Sequence, residues 1–295
     1  MTDIHSLASP ENLAAVLEST GYLADPGLAT SLFLCMKLPQ PLLLEGEAGV
    51  GKTQAAKSLA ALLDTPLIRL QCYEGIDAAE ALYEWNYPRQ LLSIRVAEAQ
   101  GSQVSEDSLF GRDYLIDRPL LQALEHPGPN PAVLLIDEID RADEEFEAFL
   151  FEMLAECTVT VPELGTLQAQ VPPIVILTSN RTRDLHDALK RRCLYHWIDY
   201  PDLQHATRIV SMRMPQIDSL VVTQIAEAIA RLRSLDMQKP PGIAEAIDWA
   251  HAVQLLGIDT LTSTDIARTL GSVIKYREDS ELVVEQGLDW VAGEQ

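Results

Sequence analysis

The chain has 295 residues, 47% of them hydrophobic, and its 44 acidic and 22 basic residues leave a formal net charge of −22. That is enough length and apolar content for a full core, in one large or two ordinary domains. The charge disfavours a nucleic-acid backbone or an anionic membrane as main partner, since both are polyanions, and no run approaches the roughly 18 apolar residues of a membrane span.

Met1-Thr2-Asp3-Ile4-His5 carries neither a basic nor an apolar leader region, so no signal peptide is expected. Cys35, Cys72, Cys157 and Cys193 form no C-x-x-C pair, and the histidines show no ligand spacing. This reads as a reduced, cytoplasmic protein without a structural metal, its cysteines being small buried apolar residues. Ser9-Pro10-Glu11 opens a first helix with Leu13, Val16 and Leu17 as its stripe. Asp25-Pro26 opens a second, carrying Leu28, Leu32, Phe33 and Cys35, which Pro39 and Pro41 stop.

Leu42-Leu43-Leu44 then runs into Glu45-Gly46-Glu47-Ala48-Gly49-Val50-Gly51-Lys52-Thr53, and an alanine-rich helical pattern follows from Gln54 to Leu63. Strand, Gly-x-x-x-x-Gly-Lys-Thr and helix, in that order, is the context a phosphate-binding P-loop requires. The glycines permit positive φ and close backbone approach. Successive N–H groups at the helix start make an anion nest. Lys52 supplies charge for the β- and γ-phosphates, and Thr53 a hydroxyl for Mg2+. Gly46 through Gln54 is the expected ATP-binding set.

After a turn at Asp64-Thr65-Pro66, Leu67–Gln71 reads as a second strand, which makes a βαβ unit and implies a parallel sheet. Asp77–Glu84, Gln90–Gln100 and Pro119–Glu125 read as helices, and Gly101–Asp107 as a mobile loop. Ala132-Val133-Leu134-Leu135-Ile136 is a buried strand that ends in Asp137-Glu138, where open α/β sheets bind ligands. In this Walker B pattern Asp137 holds Mg2+ at the Thr53 site by way of water, and Glu138 polarises the attacking water.

The helix Asp143–Glu156 puts Phe146, Phe149, Leu150, Met153 and Leu154 on one side, with Glu144, Glu145, Glu147 and Glu152 expected on a solvated face. Thr158–Val161 and Leu167–Val171 flank a turn at Pro162–Thr166 as a β-hairpin. Pro173–Asn180 is a second buried strand, with Asn180 at its end in reach of a γ-phosphate and the attacking water. Asp184–Arg192 reads as a basic-ended helix, and Leu194–Ile198 as the last core strand. Beyond Pro201 the pattern is all-helical: Leu203–Met214, Asp218–Leu235, Gly242–Leu256, Ser263–Tyr276 and Ser280–Val291. The expected fold is α/β: a P-loop NTPase αβα core with a parallel sheet and N-terminal helices in residues 1–200, and a helical lid domain in residues 201–295.

With these residues in hand, the chain resembles the AAA+ ATPases of the MoxR group. The resemblance is carried by Gly46–Thr53, by Val133–Glu138 with Ile139-Asp140-Arg141-Ala142, by the hairpin Cys157–Val171, by Leu177-Thr178-Ser179-Asn180-Arg181 as sensor 1, and by Ala188-Leu189-Lys190-Arg191-Arg192-Cys193 as the arginine-finger region. It covers roughly residues 25–290. Lys239–Glu245 and Arg192–Pro201 look most like the CoxD branch, whose members are associated with maturing the metal centre of molybdenum hydroxylases such as carbon monoxide dehydrogenase. The resemblance implies ATP hydrolysis with Mg2+, a homo-oligomeric, hexameric ring, a von Willebrand A-type partner and a client enzyme. It implies Lys52, Glu138, Asn180 and Arg192 as catalytic residues. Arg192, preferred over Arg191, is the finger that completes a neighbouring subunit's site, which requires head-to-tail packing. Arg141, Arg181 and Arg183 remain as interface candidates. The chain departs from the family at Gly242-Ile243-Ala244-Glu245-Ala246, where the usual sensor 2 arginine is absent and Lys239 lies in a Pro-rich turn. Two other readings stay open: a P-loop phosphotransferase acting on a small molecule, and a nucleotide-gated scaffold with little hydrolysis.

Overall fold

The computed structural model describes residues 7–38, 40–101 and 105–294, with the side chains at 106, 107, 151, 152 and 155 left out. The readings placed on Met1–His5, on Pro39, on residues 102–104 of the expected loop and on the Glu152 side chain fall outside the described residues.

Among the described residues the strands are β1 Leu42–Gly46, β2 Leu67–Gln71, β3 Tyr83–Trp85, β4 Leu115–Asp117, β5 Val133–Asp137, β6 Thr158–Val161, β7 Gly165–Gln168, β8 Ile174–Ser179 and β9 Leu194–Ile198. The fold is α/β with a five-stranded parallel sheet in the order β2-β5-β8-β1-β9. β1, β5 and β8 are buried at every position, as continuous apolar runs demand, while β2 and β9 at the edges are only partly covered. β1 and β2 are separated by β5 and β8, so the helix Lys52–Leu63 crosses over two strands. The register pairs Gln71 with Asp137 and Leu44 with Thr178, which gathers the polar strand ends on one edge of the sheet.

Local signals account for most helix starts. Ser9 and Asp25 cap the helices Pro10–Ser19 and Pro26–Lys37, and the Asp25 carboxylate accepts from the Gly27 and Leu28 amides at 2.8 and 2.9 Å. Four sequence readings are corrected. The helix expected from Gln90 starts at Tyr87, because Asn86 caps it and Pro88 fits its first turn. The helix expected over Asp77–Glu84 spans only Ala78–Leu82, since Tyr83–Trp85 pairs antiparallel with Leu115–Asp117. The helix expected over Asp184–Arg192 is confined to Asp187–Lys190. The last expected helix is divided into Arg277–Gln286 and Leu288–Ala292 at Gly287, where φ is 103°. The hairpin forms between β6 and β7, its second strand starting at Gly165.

The chain packs as two units. The first comprises residues 1–20, 24–45 and 53–196. Its core packs Leu43, Leu134, Ile136, Leu177, Phe146 and Leu150 with Trp85 and the helix Pro119–Leu124. The second comprises residues 21–23, 46–52 and 197–295. Its helices Leu203–Arg213, Ser219–Arg233, Ile243–Leu255 and Ser263–Val273 surround the fully buried Trp249, whose indole N–H donates to Thr269 at 2.7 Å. Among the described residues no helix is long and apolar enough to cross a membrane.

Candidate active site

In the first unit, the ends of β2, β5 and β8 bring three polar layers together. Asp137 is 3% exposed. Its Oδ1 accepts from the Thr53 hydroxyl at 3.0 Å and from the Thr178 hydroxyl at 2.5 Å, and its Oδ2 from Arg69 Nε at 2.9 Å. The carboxylate is therefore buried with its charge and lone pairs satisfied, the condition under which a buried ion is tolerated. A carboxylate and a hydroxyl side by side form a hard oxygen donor set. Mg2+ takes one or two protein ligands and completes its shell with water and phosphate, so these residues fit it.

Glu138 follows with φ 56° and ψ 50°, a left-handed conformation that costs a residue with a side chain of order 1–2 kcal/mol. Two bonds fix it there. Its amide donates to Thr178 Oγ1 at 2.9 Å, and its carbonyl accepts from the Arg141 amide at 2.9 Å. The turned backbone separates the Glu138 side chain from that of Asp137. The Glu138 carboxylate accepts from Gln71 Nε2 at 3.0 Å, lies 3.2 Å from Arg141 Nε, and has Asn180 Nδ2 at 3.5 Å, the outer limit of a hydrogen bond. A one-third-exposed carboxylate beside an amide at the end of the neighbouring strand is suited to orienting and polarising a water.

Asp140 is buried, and its Oδ2 accepts from the Thr182 amide at 2.8 Å and the Thr182 hydroxyl at 2.7 Å, which ties the turn after β5 to the loop after β8. Arg183 donates to the Ala142 carbonyl and pairs with Glu147, whose other oxygen accepts from the His186 amide at 2.8 Å. Glu147 is 1% exposed, which corrects its placement on a solvated face: it lies one turn before Leu150, and Arg183 supplies the partner that burial requires. Arg192 is exposed just past the short helix, its amide donating to the Leu189 carbonyl at 3.1 Å. Arg181 has φ 56° and comes within 3.9 Å of the buried Glu45, which also accepts from Tyr195 at 3.0 Å.

In the second unit, the loop Gly46–Lys52 meets the start of the helix Ile243–Leu255. The Gly49 carbonyl accepts from the Ile243 and Ala244 amides at 3.1 and 3.3 Å. Gly49 has φ 80°, the left-handed region that favours glycine, and a Cβ there would stand 2.8 Å from Glu245 Oε2 and displace that carboxylate. Glu245 is engaged in capping the Gly242 amide at 2.9 Å. Lys52 is 7% exposed, and its ammonium donates to the Gly46 and Glu47 carbonyls at 2.7 Å each. Arg233 lies over the Tyr200 ring at 4.5 Å and donates to the Pro241 carbonyl at 2.7 Å, and burial lowers its pKa.

Sequence reasoning missed Arg69, Gln71 and Thr178. Arg69 and Gln71 alternate on one face of β2, a visible signal, but their relevance depends on β2 lying beside β5, which the linear order does not show. Beside them, burial and the carboxylates of Asp137, Asp140 and Glu138 push the Cys72 thiol up to about 12, so it stays a neutral packing group.

Residues 41–193, just over half of the chain, match the family described as the AAA domain, dynein-related subfamily. Three relatives are similar over most of their length. An uncharacterized protein of Staphylococcus haemolyticus is 26% identical over 233 residues, covering 75% of this chain and 81% of its own. One of Staphylococcus saprophyticus is 23% identical, covering 69% and 72%, and one of Staphylococcus aureus is 26% identical, covering 68% and 71%. The matched span runs from the residue before β1 to the end of the segment that carries Arg192, and so contains Gly46–Thr53, Asp137, Glu138, Asn180 and Arg192. The chain belongs to the dynein-related subfamily of AAA domains and is an AAA+ ATPase.

Proposed function

We propose that this chain is a MoxR-type ATPase that binds ATP with Mg2+, hydrolyses it, and works as a ring that remodels or matures a client protein. The observation that carries the reading is the placement of Glu138 between Gln71 and Asn180, one residue after a carboxylate bonded to Thr53. In this reading residues 1–200 form the nucleotide-binding core and residues 201–295 the lid. Gly46 to Gln54 hold the phosphates, with Lys52 turning from the loop carbonyls to the β- and γ-phosphates. Thr53 and Asp137 hold Mg2+, which when bound neutralises charge on the phosphate oxygens. Glu138 takes up the proton of the attacking water, and Asn180 orients that water. Arg192 of one subunit completes the site of the next.

The DEIDRA continuation at Asp137–Ala142, the hairpin of β6 and β7 and the segment Lys239–Glu245 support the MoxR group and its CoxD branch. In that branch the client is a metalloenzyme; the MoxR group supplies a von Willebrand A-type partner, and this chain works in the cytoplasm. A second reading, a nucleotide-gated scaffold with little turnover, draws support from the lack of a basic residue over Gly242–Ala246. ATP turnover across a protein concentration series separates them: the ring ATPase rises in specific activity with concentration, and the scaffold stays near background. In Lys52→Ala, calorimetry should find ATP affinity strongly reduced with the fold intact; unchanged affinity would contradict the nucleotide assignment.

A further inference from the structure

Within the second unit, the phosphate loop and the start of the helix Ile243–Leu255 share a bonded seam. The Gly49 carbonyl accepts from the Ile243 and Ala244 amides at 3.1 and 3.3 Å. These are first-turn amides, which have no acceptor inside their own helix. In a trans peptide the carbonyl and the following N–H point in opposite directions. Drawing the Gly49 carbonyl toward the helix therefore turns the Val50 N–H away from it, as an anion nest requires. The seam is close: a Cβ at Gly242 would stand 3.0 Å from the Ala48 carbonyl oxygen. A buried arginine fixes this helix start. Arg233 ends the helix Ser219–Arg233, donates from Nε to the Pro241 carbonyl at 2.7 Å and from Nη1 to the Pro201 carbonyl at 3.3 Å, and lies over the Tyr200 ring. Pro241 immediately precedes Gly242, so the guanidinium acts one residue before the seam. The buried Asp279 carboxylate holds the same turn, accepting from the Gln238 and Lys239 amides at 2.8 and 3.1 Å. Pro240 and Pro241 stiffen what lies between.

We propose that Arg233 is a positioning residue for the nucleotide: through Pro241 and the start of the helix Ile243–Leu255 it keeps the phosphate loop shaped for the α- and β-phosphates. The inference rests on the ATPase reading above. The stretch Gly242–Ala246 has no basic residue to offer a γ-phosphate. A seam on the loop backbone serves a diphosphate and a triphosphate alike, because the loop amides cradle the phosphates that both share. By linkage, a nucleotide in the loop strengthens the seam as much as the seam strengthens nucleotide binding. The second unit is thereby coupled to loop occupancy and not to the γ-phosphate. Arg233 Nη2 is buried without a hydrogen-bond partner among the described residues, so a direct reach for the γ-phosphate is the rival role. Its Nε and Nη1 bonds and its place on Tyr200 oppose that reach.

The test is calorimetry on the full chain with ADP and with AMP-PNP, each with Mg2+. Arg233→Lys keeps the charge but loses the planar fork that reaches two carbonyls and stacks on a ring. It should weaken both nucleotides by the same factor, about 5-fold or more, the low end of typical coupling between sites. A loss confined to AMP-PNP would mean that the arginine meets the γ-phosphate, and no loss would mean that the helix start holds without it; either result overturns the proposal. Val222→Ala, about three turns earlier on the same helix, trims the same core and should leave both affinities near wild type. A matched loss in that variant would reduce Arg233 to a stabilising role and also overturn it. Ile243→Pro removes one amide that Gly49 accepts, at a first-turn position that proline fits. It should reproduce the loss, and adding Arg233→Lys should then cost little more; additive losses would contradict the route through the helix start. A wild-type chain that binds neither nucleotide would instead overturn the ATPase reading.

Discussion

The Thr178 hydroxyl donates to Asp137 Oδ1 at 2.5 Å and accepts the amide of Glu138 at 2.9 Å, so one side chain of β8 holds both the carboxylate and the turned backbone after it. The residue is 1% exposed, and no solvent can replace either bond. Thr178→Val keeps the shape and removes both. It should lower stability by about 1–3 kcal/mol, since the Glu138 amide loses its acceptor at a left-handed position. Thr178→Ser should restore most of it. Thermal unfolding of the three proteins checks this, and a valine variant as stable as wild type would show that the amide has another acceptor.

A second prediction concerns acid. The His196 ring Nε2 lies 3.5 Å from the Asp25 carboxylate, and, against the opposing effect of burial, this neighbour holds the Asp25 carboxyl down at about 2, helped by the Leu28 amide. A carboxyl whose pKa is lower in the folded protein than its ordinary value near 3.8 contributes stability above that value, and loses it as pH falls toward 2. Asp25→Asn retains the capping oxygen and removes the charge. Wild type should therefore be more stable than Asp25→Asn above about pH 4, and the gap should close between pH 4 and pH 2. Urea unfolding at several pH values measures it; a gap independent of pH would mean the cap alone matters.

A third prediction concerns Arg192, which stands exposed at the rim just past the helix Asp187–Lys190. If it acts in trans, Arg192→Ala should keep ATP affinity and lose turnover by about 10³–10⁵-fold. Mixing Arg192→Ala with Glu138→Gln subunits should restore part of the activity, since some interfaces then pair two intact residues. No recovery on mixing, together with activity independent of concentration, would remove both finger and ring.

How much of this was legible depends on the range of the interaction. β1, β5 and β8 could be read directly, because strands buried on both faces are continuous apolar runs that end in polar residues. Thr53 and Asp137 could be paired from motif order, and in the fold the Thr53 hydroxyl lies 3.0 Å from the Asp137 carboxylate. Gln71 and Arg69 could not be read, since their roles follow from β2 lying beside β5, a neighbour relation set by crossovers. Glu147 was misplaced because its partner Arg183 comes from a loop 36 residues away. The helix over Asp184–Arg192 was overextended for a related reason: residues 182–186 are drawn into bonds with Asp140 and Glu147 instead of a helical ladder.

If Glu138 activates water for ATP hydrolysis, Glu138→Gln should separate binding from turnover. Glutamine preserves size and the left-handed backbone but cannot take a proton. ATP binding by calorimetry and steady-state turnover should be measured on the same preparation. ATP affinity should stay near wild type and turnover should fall by roughly 10²–10⁴-fold. Turnover within a few-fold of wild type would contradict it and leave Glu138 as a structural turn residue.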